Sequence, residues 1–132
     1  MAPNIDKPEG KLILRTLAMP ADTNANGDIF GGWIMSQMDI AGGILAKEIA
    51  KSRTVTIAVD SMKFIKSVKV GDVVCCYGHI EKIGNTSITL GLEVWVEPVL
   101  REDEEHHFLV TEACFTYVAI DSSGKKRQIP KE

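Results

Sequence analysis

Residues 33–51 read WIMSQMDIAGGILAKEIAK, nineteen residues without proline in which good helix formers dominate. A helix of this length spans roughly 28 Å. Its apolar residues go most of the way round, and after Asp39 polar character returns only from Lys47 onward. Gly42 and Gly43 lower helix stability, which predicts close packing there. A helix that is apolar on nearly every side is buried, so we predict a central helix covered by a sheet and by a partner subunit.

On both sides of this helix the hydrophobic pattern has a period of two, which is typical of strands. One short strand precedes the helix at residues 12–18. Four strands follow it, and they are predicted at residues 54–66, 73–82, 88–97 and 108–120. Gly84-Asn85 marks a tight hairpin turn.

This order of one strand, one helix and four strands joined mostly by hairpins predicts an α+β fold, in which an antiparallel five-stranded sheet carries one helix. The last two strands exceed the usual ~5–6 residues, and long strands twist and curl. A long curled sheet wrapped around one central helix is the hotdog architecture. Such a sheet has two edges and one open face, so we expect an oligomer.

The bulk properties narrow the function. A chain of 132 residues suits one domain, which we place at residues 11–121 between an N-terminal arm (1–10) and a basic C-terminal tail (122–132). The net charge of -3 argues against a nucleic-acid binder. The most apolar stretch, residues 29–46, is interrupted by an aspartate and glycines, so we expect no membrane insertion. Three cysteines, two of them adjacent, argue against a disulfide framework and favour a cytoplasmic protein with reduced thiols. Residues 1–11 are polar and contain no apolar segment, so we expect no signal peptide.

Asp39 is the first candidate for chemistry because it lies inside the apolar helix, between Met38 and Ile40. Burying an unpaired carboxylate is costly, so such a residue has a partner or a role. One interpretation is structural: Asp39 caps a backbone group or pairs with an arginine. The other is a general base, because an apolar environment makes a carboxylate hold a proton more strongly. The residues alone leave both open.

The second candidate is the segment at 24–32, which ends at the start of the helix. Backbone N–H groups at a helix N-terminus lack partners, and Gly31 and Gly32 allow a ligand to approach them closely. Together with the helix dipole they could stabilise an oxyanion, and the amide of Asn24 offers a further donor. A capped helix start with turn glycines is the structural alternative. Asp39 lies roughly 10 Å beyond Gly32 along the helix axis, so the two need not serve one site within one subunit.

Several motifs resemble a known family. LAMP at 17–20 and TNANGDIFGG at 23–32, followed by Met35, Met38 and Asp39, resemble the signature of the hotdog acyl-CoA thioesterases, and most closely the YciA-like bacterial acyl-CoA hydrolases. The similarity covers nearly the whole chain, continuing through Val59, Met62, Phe64, VGDVV at 70–74, EVWV at 93–96 and TEA at 111–113.

The resemblance implies that the chain hydrolyses acyl-CoA to a carboxylic acid and CoA. It implies that Asp39 is the general base or nucleophile, and that Asn24 positions the water or polarises the thioester carbonyl. The N–H of Gly32 would be the oxyanion donor. Family members bring the matching asparagine and aspartate from different subunits into one site at a dimer interface. A homohexamer built as a trimer of dimers is implied, with no metal and no cofactor beyond the CoA of the substrate.

Basic residues are the candidates for the CoA phosphates. Lys63 and Lys66 lie near one strand end, and a second basic cluster follows the last strand at Lys125, Lys126 and Arg127. Each is also what a solvated lysine or arginine at an element end looks like. Many relatives have Arg-Pro where this chain has Lys66-Ser67, and lysine keeps the charge but lacks the planar fork of arginine. The other predicted contacts to substrate are Phe30, Gly31, Met62, Phe64, Thr86 and Ser87.

Three other functions remain as alternatives. A hotdog dehydratase needs a histidine beside the acid, and no histidine lies between residues 20 and 50. A non-catalytic acyl-CoA sensor or carrier would keep the cavity and the basic patch, with little reason to keep a buried acid. An assembly module would bind no CoA. The pairs Cys75-Cys76 and His106-His107 each point to opposite faces of a strand, so we interpret them as core thiols and as part of a solvated acidic loop, with no metal.

Overall fold

The computed structural model describes residues 7–99 and 106–130. Five strands and one long helix form the fold: β1 (Lys11–Leu17), α1 (Gly31–Ala50), β2 (Arg53–Phe64), β3 (Val73–Ile83), β4 (Ser87–Glu97) and β5 (Phe108–Ile120). A single 3-10 turn at Pro20–Asp22 precedes α1. Every predicted boundary lies within two residues of the observed one. The helix starts at the two glycines and ends where Lys51 adopts a left-handed conformation with a φ of 55°.

The five strands form one antiparallel sheet in the order β1-β3-β4-β5-β2. β3 and β4 are joined by a tight hairpin through residues 84–86, whereas β2 lies at the far edge beside β5 and does not pair with β3. The connection from β2 to β3, residues 65–72, crosses the end of the sheet next to the start of α1. It is fixed there because Val68 O accepts the N–H of Ile29 (3.0 Å) and Asp72 O accepts the N–H of Ala18 (3.0 Å).

The sheet curls because its ladders are interrupted. Each of the four strand pairings carries at least one register shift, and the β2–β5 pairing carries two. In the second of these, Ser61 has a left-handed φ of 59°. Bulges of this kind bend a strand and increase its twist, so the sheet wraps one side of α1. It does not close, and β1 and β2 remain as edges.

The helix is covered on one side only. Its buried residues, which face the sheet, are Ile34, Met38, Ala41, Gly42, Leu45, Ala46 and Ala50. In contrast, Met35, Ile40 and Ile44 are 39%, 51% and 39% exposed, so the predicted all-round burial is not reached within one chain. The edge strand β2 also exposes Val55 and Ile57. Open apolar surface on both elements is suited to a partner subunit.

Over residues 7–99 and 106–130, no helix combines the length and the hydrophobicity that crossing a bilayer requires.

Candidate active site

Asp39 is half-buried in the middle of α1, and its carboxylate is held by two hydroxyl groups from the sheet. Thr56 Oγ1 donates to Asp39 Oδ1 at 2.6 Å, and the hydroxyl of Tyr117 donates to the same oxygen at 3.0 Å. Thr56 on β2 and Tyr117 on β5 are paired across the ladder, which places both hydroxyls under one turn of the helix. The partners that the structure gives Asp39 are therefore neutral donors, not an arginine.

Tyr117 is a fixed and neutral donor. Its side chain is only 1% exposed, and its ring stacks on Phe115 with 6.4 Å between centroids. Burial raises the pKa of Tyr117 far above its usual value, and the nearby charge of Asp39 raises it further, so the hydroxyl keeps its proton. The hydroxyl lies so close to α1 that a Cβ on Gly42 would be 2.2 Å from its oxygen.

The sequence analysis missed both Thr56 and Tyr117. A tyrosine at an inward-facing strand position usually has a hydrogen-bond partner for its hydroxyl, and that was the available signal. What the sequence could not supply was the register, which puts Tyr117 opposite Thr56 and beneath Asp39.

Asn24 organises the loop before the helix. Its Oδ1 accepts the backbone N–H groups of Asn26 (2.8 Å) and Asp28 (3.2 Å), and its own N–H donates to Asp28 O at 2.7 Å. Lys69 closes the loop from outside through a 2.7 Å ion pair with Asp28. Because the Oδ1 is used inside the loop, the Nδ2 of this exposed side chain is the end that can donate to a ligand.

The start of α1 offers unpaired backbone donors. Trp33 and Ile34 donate the first helical hydrogen bonds, both to Phe30 O, so the N–H groups of Gly31 and Gly32 precede the ladder. A Cβ on Gly32 would meet nothing within 4 Å, so a ligand has room there.

A cavity of about 320 Å³ lies at this helix start. It is lined by Asn24, Asp28, Ile29, Gly31, Ile34, Phe64, Ile65, Lys66, Ser67 and Val68. The structure thus brings together four predicted site residues, Asn24, Gly31, Phe64 and Lys66. Asp39 does not line this cavity, because it is two helical turns further along.

The remaining predicted CoA contacts divide into two groups. Near the cavity, the Lys66 ammonium lies 4.7 Å from the ring centroid of Phe108, and Phe30 and Lys63 are exposed while Met62 packs on the core. The other group is Thr86, Ser87, Lys125, Lys126 and Arg127. There Thr86 O accepts the N–H of Ala119, and the N–H of Arg127 donates to Ala119 O. This group therefore lies near the opposite end of β5. Roughly 26 Å of strand, from Thr111 beside Phe64 to Ala119, separates the two groups within one chain.

The adjacent cysteines are core thiols, as predicted. Cys75 and Cys76 are both buried and neither forms a disulfide. Burial, followed by the proximity of Cys75, raises the pKa of Cys76 to about 12, so this thiol is not a nucleophile at neutral pH.

The histidine pair does not form a metal site with its described surroundings. His106 and His107 are exposed, and the ring of His107 packs edge-on against Trp95 with 4.8 Å between the ring centroids. Among residues 7–99 and 106–130, no three His, Cys, Asp or Glu side chains are grouped to hold a metal ion. The rest of the predicted acidic loop, residues 101–105, lies outside the described residues.

Comparison with known proteins places this site in a family. Residues 26–101 match the model of the thioesterase superfamily. The chain is 59% identical to the acyl-CoA thioester hydrolase YciA of Escherichia coli K12, over 95% of each protein. It superposes on the hexameric thioesterase y2039 from Yersinia pestis with a TM-score of 0.90 and 62% identity, covering 95% of this chain and 100% of that one.

A more distant solved structure is the acyl-CoA hydrolase from Staphylococcus aureus, bound to butyryl-CoA and CoA. It has a TM-score of 0.78 and 28% identity, covering 89% of this chain and 70% of that one. The chain belongs to the thioesterase superfamily, and the predicted hotdog fold is confirmed.

Proposed function

We propose that this protein is an acyl-CoA thioesterase, which hydrolyses acyl-CoA to a free carboxylic acid and CoA. The observation that carries the proposal is the position of Asp39, a carboxylate held by Thr56 and Tyr117 in a chain that is 59% identical to a named acyl-CoA thioester hydrolase. A non-catalytic acyl-CoA sensor or an assembly module would have no need for a carboxylate held in this way.

The distant relative supports the same pair of residues. Variants of the Staphylococcus aureus hydrolase were solved with an aspartate replaced by alanine and with a threonine, seventeen residues further along, replaced by alanine. Asp39 and Thr56 are separated by the same number of residues.

The chemistry needs a base, an oxyanion site and a leaving-group proton. Asp39 takes a proton from water, and the resulting hydroxide adds to the thioester carbonyl carbon. The negative charge that develops on the carbonyl oxygen is stabilised by the N–H of Gly32 and the Nδ2 of Asn24. When the C–S bond breaks, the proton returns from Asp39 to the CoA sulfur. In the alternative route, Asp39 attacks the carbon directly and expels the CoA thiolate. Water then hydrolyses the mixed anhydride to the free acid and the Asp39 carboxylate, and the thiolate takes up a proton released in that step. No metal and no other cofactor takes part in either route.

The site is completed by a second subunit. Within one chain Asn24 and Gly31 line the cavity at the helix start, while Asp39 lies further along the helix and outside that cavity. Two copies that face each other across the exposed sides of α1 and β2 bring the Asn24 loop of one against the Asp39 of the other. The assembly is a hexamer, a trimer of such dimers. This association also brings the two groups of CoA contacts within reach of one ligand.

The same proposal fixes the remaining assignments. Residues 11–121 form the catalytic domain, preceded by the N-terminal arm at 1–10 and followed by the basic tail at 122–132, which contributes to CoA binding. The three free cysteines fit a reducing cytoplasm.

The direct test is release of free thiol from a panel of acyl-CoAs from short to long, measured on the purified protein. We expect turnover of at least part of the panel, and the pattern gives the chain-length preference. If no thioester is cleaved while CoA still raises the melting temperature, the protein is a sensor or carrier. If CoA does not bind either, the protein is an assembly module.

The oxyanion role of Gly32 can be tested by a substitution that removes its backbone N–H. Gly32→Pro deletes the N–H in the first turn, where no helical hydrogen bond is lost, and Gly31 before it has no Cβ to clash with the ring. We expect kcat to fall by about 10²–10³-fold at a nearly unchanged melting temperature. Gly32→Ala is the matched reference, because it adds a Cβ as proline does but keeps the N–H, so the ratio of the two kcat values isolates that donor. Equal kcat values for the two variants would assign the oxyanion to other donors.

A further inference from the structure

We infer that Tyr117 is a positioning residue for Asp39: with Thr56 it fixes Oδ1 of the carboxylate and so makes Oδ2 the oxygen that acts on water or on the thioester. The inference rests on the proposed function and names the reactive atom within it.

The geometry distinguishes the two carboxylate oxygens. Thr56 (2.6 Å) and Tyr117 (3.0 Å) both donate to Oδ1, and the Tyr117 hydroxyl also lies 3.2 Å from the backbone O of Asp39. Hydroxyl donors to a carboxylate are among the stronger hydrogen bonds. The terminal torsion of an aspartate is otherwise broad, so anchoring one oxygen twice sets the orientation of the whole group. Neither hydroxyl contacts Oδ2, which is left to the substrate.

The Tyr117 hydroxyl is held at this point by its own surroundings. The ring is buried and stacked on Phe115, so the oxygen has a fixed position. Its raised pKa keeps the hydroxyl protonated, so it acts as a donor across the working pH range.

Gly42 is what lets Tyr117 reach the helix. A Cβ at this position would lie 2.2 Å from the Tyr117 oxygen and 2.9 Å from Leu92 Cδ1. The residue is three positions after Asp39, on the same side of the helix. Alanine at this position would therefore displace the Tyr117 hydroxyl, which makes Gly42→Ala a second variant that tests the same contact.

The experiment measures kcat and KM for Tyr117→Phe and Gly42→Ala. The control is Tyr77→Phe, which removes the hydroxyl of a half-buried tyrosine on β3 that has no part in the site. We expect the first two variants to lose about tenfold or more in kcat, with KM within about threefold of wild type. Tyr77→Phe keeps the wild-type kcat and KM.

The outcomes separate this inference from the proposed function. A wild-type protein that cleaves no thioester removes the proposed function itself. A wild-type protein that is active, beside a Tyr117→Phe variant with unchanged kcat, overturns the inference. If Tyr117→Phe lowers only the melting temperature, Tyr117 stabilises the fold without positioning Asp39 for the reaction. If Gly42→Ala does not fold, Tyr117→Phe decides alone, because it keeps the ring and its packing.

Discussion

Asp39→Asn is expected to lower thioester turnover by about 10²–10⁴-fold or to background, while CoA still binds. The amide oxygen of asparagine can accept the same hydrogen bonds from Thr56 and Tyr117, so the helix and the sheet beneath it stay in place. The amide cannot take a proton from water or attack a carbonyl. The measurement is thiol release beside calorimetric titration with CoA.

Glu48→Gln is the control for this change. It removes one negative charge from the same helix, at an exposed position that pairs with Lys11 at 3.2 Å. Such a surface pair contributes little to stability, and we expect wild-type turnover. Near wild-type turnover in Asp39→Asn would remove Asp39 from the mechanism.

Mixing two inactive variants should restore activity. Asn24→Ala and Asp39→Asn are each expected to be inactive or nearly so, because every site in their homodimers lacks one residue. If each site takes Asn24 from one subunit and Asp39 from the other, every mixed dimer contains one intact site and one with both changes. Random pairing of equal amounts then gives about a quarter of wild-type activity. The measurement is thiol release after co-expression and after refolding of a mixture.

The same experiment tests the opposite arrangement. If both residues act within one chain, every site in the mixture carries a defect, and activity stays at background. Co-expressing Asp39→Asn with a second Asp39→Asn copy under a different tag gives the baseline, because no pairing of those chains restores a carboxylate.

The secondary structure was accessible from the sequence because its signals are local. Alternation along 88–97 and the proline-free apolar run at 33–51 each specify an element within a few residues. Strand order is different, since β2 does not pair with the strand that follows it. That choice depends on hydrogen bonds from the crossing segment 65–72 to Ala18 and Ile29, and no local pattern encodes them.

The residues of the functional site also divide into those with a local sequence signal and those without one. Asp39 attracted attention because a carboxylate in an apolar helix breaks the pattern, and Gly32 because it opens that helix. Thr56 and Tyr117 break no pattern: each fits a strand, and only the register brings them to one oxygen. The basic residues show most plainly what a sequence leaves open, because it gives their charges but not the distance in space between Lys66 and Lys125.

The paired glycines of α1 also concern anyone who wishes to make this protein more heat-stable. Replacing a helical glycine by alanine is a standard way to raise stability, by about 1 kcal/mol where space allows. At Gly42 the substitution would push away Tyr117. At Gly43 the new methyl group has no neighbour within the chain, so only the partner subunit on this side of α1 limits the gain. The trade-off between robustness and activity is therefore set at Gly42 by the chain's own tyrosine, whereas at Gly43 it is set by the fit between two subunits.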